Sequence, residues 1–251
     1  MTQHLATRLP ACTIDAVVLR EGEMHCPSCL LREFGACGAI DTETATRLNR
    51  NVLKREYAAH ETILAEGGEA RVVGVISDGI AAVVKYSDNG RRQIIGFLET
   101  GDVFGLSSVE TYFATIEALT EVHACLFPRV LFDEAMLKHP ELTPELMRIV
   151  SNERVEAAEH ELLLGQYSGR ERLAAFLMRR AERFGEPGAG PCQIWLDTTR
   201  QDIGDYLGLS MENVSRGLND MAKRGVISMP TPRNVILQDM AHLRKLAVAA
   251  D

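Results

Sequence analysis

Two groups of residues in this chain have the types and spacing to do chemistry. Cys26, Cys29 and Cys37 form a C-x2-C-x7-C run near the start. Thiolates two residues apart can turn onto one metal centre, and a third on the following loop completes a face of it. A four-thiolate site needs one more ligand. Cys125, flanked by the alternating HACLF, is the candidate, and only a folded β domain can bring it back to the N-terminal segment. Leu30, Leu31, Phe34 and Ile40 surround the trio and would cover a centre from water. Cys12 and Cys192 lack this setting and are read as non-ligands. On residue types alone, zinc and an iron–sulfur cluster fit the four thiolates equally well.

The second group lies in TTRQDIGDYLGLSMENVSRGL. Thr199 can cap a first helix, with Asp202 three residues on as its capping-box partner. Ile203 and Leu207 lie one turn apart and face inward. Gly208 allows a sharp turn, Leu209 plugs the space between two helices, and Ser210 caps the second. Val214 and Leu218 form the buried face of that second helix. Its opposite face presents Glu212, Ser215 and Arg216 close to the helix start, where a recognition helix meets base edges. Arg216 can donate two hydrogen bonds to guanine, Glu212 can accept from the cytosine amino group, and Ser215 is adaptable.

The remaining sequence must position these groups. From about Val52 to Pro128, short β-type runs such as RVVGVISDG and IAAVVKYSDNG are broken by turn signals at Ser77-Asp78-Gly79, Asp88-Asn89-Gly90 and Gly101-Asp102. This spacing predicts an antiparallel barrel or sandwich. A helix is predicted from Thr143, as its cap, to about Gln166, with Pro144 in the first turn. Met147, Val150, Arg154, Ala157, Glu161 and Leu164 follow the three–four spacing of a coiled-coil seam with a polar middle. Glu153 and Glu156 are the nearby carboxylates for Arg154. A second helix, RERLAAFLMRRAERF, follows Ser168-Gly169. After the loop GEPGAGP come a short strand at QIWL, the two-helix segment, and a two-stranded wing in VISMPTPRNVIL.

At 251 residues the chain can bury one large core or two ordinary ones, and 46% hydrophobic with 25% charged residues is globular composition. No apolar run reaches membrane-spanning length and the start lacks a secretory signal, so a cytoplasmic protein without a membrane partner is expected. Reduced thiols there favour metal or redox chemistry over disulfides. The net charge of −8 is uneven: from Arg170 onward 12 basic residues face 10 acidic ones, against 15 and 25 in the remainder. The acidic part need not touch phosphate. No phosphate-binding glycine loop or nucleophile elbow occurs, so no enzyme is expected.

The segment TRQDIGDYLGLSMENVSR, with its E-x-x-S-R pattern at Glu212, Ser215 and Arg216, resembles the recognition segment of the FNR branch of the CRP/FNR superfamily of bacterial regulators. The resemblance covers nearly the whole chain. It implies an α+β fold: an N-terminal antiparallel β-barrel of the cyclic-nucleotide-binding type, a long dimerisation helix and a C-terminal winged helix-turn-helix. The expected segments are 1–40 for cluster binding, 41–139 for the sensor barrel, 140–168 for the dimerisation helix and 169–251 for DNA binding. The C-x2-C-x7-C spacing is similar to the FnrN and FnrL members. It implies an oxygen-labile [4Fe–4S] cluster on Cys26, Cys29, Cys37 and Cys125. It further implies a homodimer that binds a TTGAT-N4-ATCAA palindrome in double-stranded DNA under low oxygen and activates transcription. In the family, the turn corresponding to Asp88, Asn89, Gly90 and Arg91 touches RNA polymerase.

A constitutive DNA-binding protein with a structural four-thiolate zinc site is the alternative. Cyclic-nucleotide sensors of this fold carry a Glu for the ribose and an Arg for the phosphate after the Gly-Asp turn. Here Leu106 stands at the Glu position and no Arg lies between Gly101 and Glu121, so no cyclic nucleotide is expected. His60 and His123 are read as structural residues, not haem ligands.

Overall fold

The computed structural model describes residues 52–107, 109–184 and 191–248, which form two compact units. One unit holds 52–167 together with 197–215, and the other holds 168–196 and 216–248.

The first unit opens with eight strands: β1 (Leu53–Tyr57), β2 (Thr62–Leu64), β3 (Val72–Asp78), β4 (Ala81–Tyr86), β5 (Arg92–Leu98), β6 (Val103–Phe104), β7 (Thr115–Ala118) and β8 (Val122–Pro128). They pair antiparallel into two four-stranded sheets, ordered β1-β8-β3-β6 and β2-β7-β4-β5. The predicted antiparallel β domain is present. Its two sheets are not closed into one hydrogen-bonded barrel. Inward residues of both sheets, among them Ile76, Ala81, Ile116, Ala118, Val122 and Leu126, form the principal core. The turns predicted around residues 79, 90 and 101 connect β3 to β4, β4 to β5 and β5 to β6. The period-2 pattern made them legible: β7 alternates half-buried and buried positions along its length.

A smaller apolar cluster of Val73, Val75, Val103 and Phe127 lies apart from that core. Val52, Leu106 and Cys125 pack against it, as do Phe132 and Ile149. The last two come from α1 (Arg129–Lys138) and α2 (Thr143–Gln166). Thr143 does not cap α2. A 3-10 turn at Pro140–Leu142 runs straight into the helix, so Thr143 already has helical angles (φ −59°, ψ −46°) and its N–H bonds the Pro140 carbonyl. Leu142 takes the cap position without a side-chain bond, and Pro144 remains in the first turn.

The second unit contains α3 (Gly169–Phe184), β9 (Cys192–Trp195), β10 (Ile227–Ser228), β11 (Asn234–Leu237) and α6 (Met240–Val248). Its sheet runs β10-β11-β9, with β10 and β11 forming the predicted two-stranded wing and β9 pairing the outer side of β11. Leu173, Leu177, Ile194, Ile227 and Leu237 are fully buried there, and Cys192 is buried too. Two further helices, α4 (Arg200–Leu207) and α5 (Met211–Lys223), complete the chain, with α4 and the start of α5 in the first unit. Among the described residues no helix is long and apolar enough to cross a membrane.

Candidate functional site

The α4–turn–α5 segment is built as its sequence predicts. Thr199 has extended angles (φ −72°, ψ 163°), and its hydroxyl accepts from the Asp202 N–H at 3.1 Å. The Asp202 carboxylate accepts from the Thr199 N–H at 3.1 Å, closing the capping box. These bonds satisfy two donors that a helix start leaves open. Ile203 and Leu207 are fully buried. Gly208 then turns left-handed (φ 63°, ψ 39°), a conformation that suits glycine. Beyond it the Leu209 N–H donates to the Gly204 carbonyl at 2.9 Å. A Cβ at Gly204 would lie 2.5 Å from the Leu209 carbonyl oxygen, so this position also demands glycine. Sequence reading missed that requirement, because a glycine inside a helix gives no sign of what approaches it.

Ser210 opens α5: its hydroxyl accepts from the Asn213 N–H at 3.2 Å. Val214, Leu218 and Met221, spaced by four and three, are buried. Glu212 and Arg216 are exposed and Ser215 is half-buried, all in the first two turns. The three side chains therefore share a face at the helix start with nothing apolar to bury, as base reading requires. Beside β10 and β11, the wing turn Pro230–Arg233 is exposed, pinned where the Asn234 N–H donates to the Thr231 hydroxyl at 3.0 Å.

Of the four candidate metal ligands, Cys26, Cys29 and Cys37 lie outside the described residues. Cys125 lies mid-strand in β8, half-buried, opposite Lys54 on β1 and Val75 on β3. Its neighbours belong to the small cluster that Ile149 of α2 also joins. The chain enters β1 from the N-terminal segment at this place: Leu53 pairs Leu126, one residue from Cys125. Fourteen residues separate Cys37 from Val52, and a chain of that length can span on the order of 45 Å, ample to return a thiolate to Cys125. The donor set thus fits a four-thiolate group.

Residues 54–139 match the family model for the cyclic nucleotide-binding domain, and residues 171–246 match that for the Crp-like helix-turn-helix domain. The transcriptional activator protein FnrL of Cereibacter sphaeroides is 32% identical over 223 residues, covering 87% of this chain and 90% of that protein. The nitrogen fixation regulation protein FixK of Azorhizobium caulinodans is 38% identical over 192 residues, covering 76% and 77%. The solved structure of FixK2 from Bradyrhizobium japonicum superposes with a TM-score of 0.73 at 32% identity, covering 80% of this chain and 99% of that one. The chain belongs to the Crp/FNR family. It is a DNA-binding transcription regulator, and its relatives are regulators, not enzymes.

In this Crp/FNR chain α2 carries exposed apolar residues along its length. Met147 and Val150 are exposed, Ala157 and Leu164 half-buried, and His160 alone among its described side chains is buried. Within the protomer Arg154 faces Glu161, with Nη1 3.6 Å from Oε1, and not Glu153 or Glu156. Neighbours one and two residues away point elsewhere on a helix, whereas seven residues is two turns along one face. The pair is exposed and contributes little stability.

The turn at Asp88, Asn89, Gly90 and Arg91 is exposed throughout. Its shape is fixed locally: the Ser87 N–H donates to the Arg91 carbonyl at 3.0 Å and the Ser87 hydroxyl to Asn89 Oδ1 at 2.6 Å. His123 sits between Glu121 (3.3 Å) and Glu56 (3.6 Å), and His60 occupies a positive-φ turn (71°). Among the described residues neither belongs to a group of three or more His, Cys, Asp or Glu side chains that could hold a metal ion.

Proposed function

We propose that this regulator is an oxygen-responsive activator of the FNR type that binds a TTGAT-N4-ATCAA palindrome as a homodimer under low oxygen. The cysteine set carries this reading. Relatives named FixK are as similar to the chain as those named FnrL, so overall similarity does not choose the sensor. The C-x2-C-x7-C run supports the FNR-type sensor, and β1, which pairs β8 next to Cys125, is compatible with it. Cys26, Cys29, Cys37 and Cys125 would hold a [4Fe–4S] cluster, which supplies an oxygen-labile tie between the N-terminal segment and the β domain.

The chain's own residues convert that tie into a change in association. Cys125 and Ile149 pack against one apolar cluster, so an N-terminal segment fixed at Cys125 bears on the flank of α2. The exposed Met147 and Val150 on α2 then meet their counterparts across a two-fold axis. Arg154 and Glu161 in the middle of the seam keep this interface marginal, since charge there weakens apolar packing. A marginal interface is what a modest bias can switch. Glu212, Ser215 and Arg216 of each protomer then read one half-site.

Anisotropy of a labelled TTGAT-N4-ATCAA duplex tests the reading. Protein prepared without oxygen is expected to bind it, and the same sample after exposure to air is expected to release it. Equal binding before and after air would point to the zinc alternative.

Arg154→Leu tests the seam. Replacing two facing charges by apolar contact is expected to strengthen the dimer by about 1–3 kcal/mol per side chain. The cluster-free variant should then sediment as a dimer in air, where its parent is a monomer. A variant as monomeric as its parent would show that Arg154 lies outside the interface.

The exposed turn at 88–91 is assigned to RNA polymerase and not to DNA. Asp88→Ala or Arg91→Ala is expected to lower transcription several-fold in a reconstituted assay while leaving operator affinity unchanged. Parallel loss of both would mean that the turn only supports the fold.

A further inference from the structure

The first helix of the DNA-reading segment is gripped at both ends by residues of the β domain and of α2. Arg92, at the start of β5, is largely buried, with 22% of its side chain exposed. Its Nη1 donates to Asp202 Oδ1 at 3.0 Å and to Asp205 Oδ2 at 2.6 Å, both on α4. Its Nε donates to Glu117 Oε2 on β7 at 3.0 Å. Burial works against the guanidinium charge, but the Asp205 hydrogen bond and the Glu117 and Asp202 carboxylates outweigh it, so the proton is held more tightly than usual. At the other end, the Tyr206 carbonyl lies in the last turn of α4, where helix carbonyls lack an internal partner. His160 of α2 meets it with Nε2 at 2.8 Å, and the Gln93 amide of β5 donates to it at 3.3 Å. A carbonyl only accepts, so His160 carries a proton on Nε2. The His160 ring also stacks on the Tyr206 ring (centroids 4.1 Å apart, planes 8° apart), and Phe97 of β5 tilts against it at 4.9 Å.

We propose that Arg92 is a positioning residue for DNA binding, holding α4 on the β domain so that the recognition helix is presented. With these contacts made, Glu212 and Arg216 are exposed, so the grip is compatible with base reading. Charge count explains why Arg92 is the essential member. One guanidinium serves three largely buried carboxylates: Asp202 and Asp205 on α4, and Glu117 on β7. Without it, Glu117 faces two like charges on α4 with no cation between them, and attraction becomes repulsion. Asp202 is already committed to the capping box through Oδ2. A shift of α4 therefore moves the start of the two-helix segment as a body. Arg92 follows directly on the exposed turn at 88–91, so β5 links that turn to the DNA-reading segment.

The test is Arg92→Gln in the full-length protein, with Arg92→Lys, Asp205→Asn and the Arg92→Gln/Asp205→Asn double variant beside it. Operator affinity is measured on the TTGAT-N4-ATCAA duplex without oxygen, an arm that rests on the function proposed above. Arg92→Gln is expected to weaken binding roughly tenfold or more, the usual scale of coupling between sites. Arg92→Lys, which keeps the charge, should bind within about fivefold of the parent. The double variant should be no weaker than Arg92→Gln, because both remove one interaction. Hydrogen exchange provides the arm that needs no operator. Amides of 203–207 should exchange faster in Arg92→Gln while those of β8 are unchanged. Failure of the parent protein to bind the duplex would count against the proposed function alone, and the exchange result would still decide the role of Arg92. Undiminished or tighter binding by Arg92→Gln, additive losses in the double variant, or unchanged exchange in 203–207 would each overturn the proposal.

Discussion

Cys125→Ser protein purified without oxygen is expected to be colourless and to bind the operator no better than air-exposed parent. A serine hydroxyl stays protonated near neutral pH and is not the thiolate that a cluster or a zinc ion takes. The substitution removes one of the four proposed ligands and little else. Cys125 is half-buried in the middle of β8, paired on one side to Lys54 and on the other to Val75, and those backbone bonds do not depend on its side chain. Serine is close in size, so thermal unfolding of the β domain should hardly change. Cys192→Ser is the control, because Cys192 is buried in β9 and is not assigned as a ligand. It should keep its colour and its DNA binding. A Cys125→Ser protein with a full complement of iron and sulfide would remove Cys125 from the ligand set.

Arg216→Ala should leave folding intact and nearly abolish operator binding. The side chain is exposed on α5, opposite the buried Val214 and Leu218, so its loss opens no cavity. A bidentate arginine–guanine contact contributes about 1–3 kcal/mol of discrimination. A dimer makes the contact in both half-sites, so the combined loss is at least about 2 kcal/mol, or some 30-fold in Kd. The loss should be specific. Binding to a scrambled duplex of the same length, which rests on phosphate contacts, should fall much less. Equal losses on operator and scrambled DNA would make Arg216 a phosphate contact and not a base reader.

The local parts of this molecule were legible in its sequence, and the distant parts were not. Thr199, Asp202, Gly208, Ser210, Val214 and Leu218 announce the two helices because each acts within a few residues of itself. The strands and their turns were visible through alternation and punctuation. How the two sheets meet was not, since closure depends on which edges pair, and β2 joins β7 across 50 intervening residues. Thr143 looked like a cap because its side chain is the right type. The 3-10 turn before it moved the helix start by one residue. The contact of Arg154 within the protomer was not legible either: Glu161 lies two turns along the same face of the helix. Arg92 gave no signal at all, with its α4 partners 110 and 113 residues away. Burying an arginine among three carboxylates is decided only when the elements meet.

In the proposed function the four thiolates hold an iron–sulfur cluster and not a structural ion. Metal and sulfide analysis of the full-length protein, purified and kept without oxygen, tests it most directly. The account predicts a brown protein with about four iron and four acid-labile sulfide per chain, both lost within the same exposure to air that abolishes operator binding. A colourless protein holding about one zinc per chain, unchanged by air and bound to its operator throughout, would contradict it.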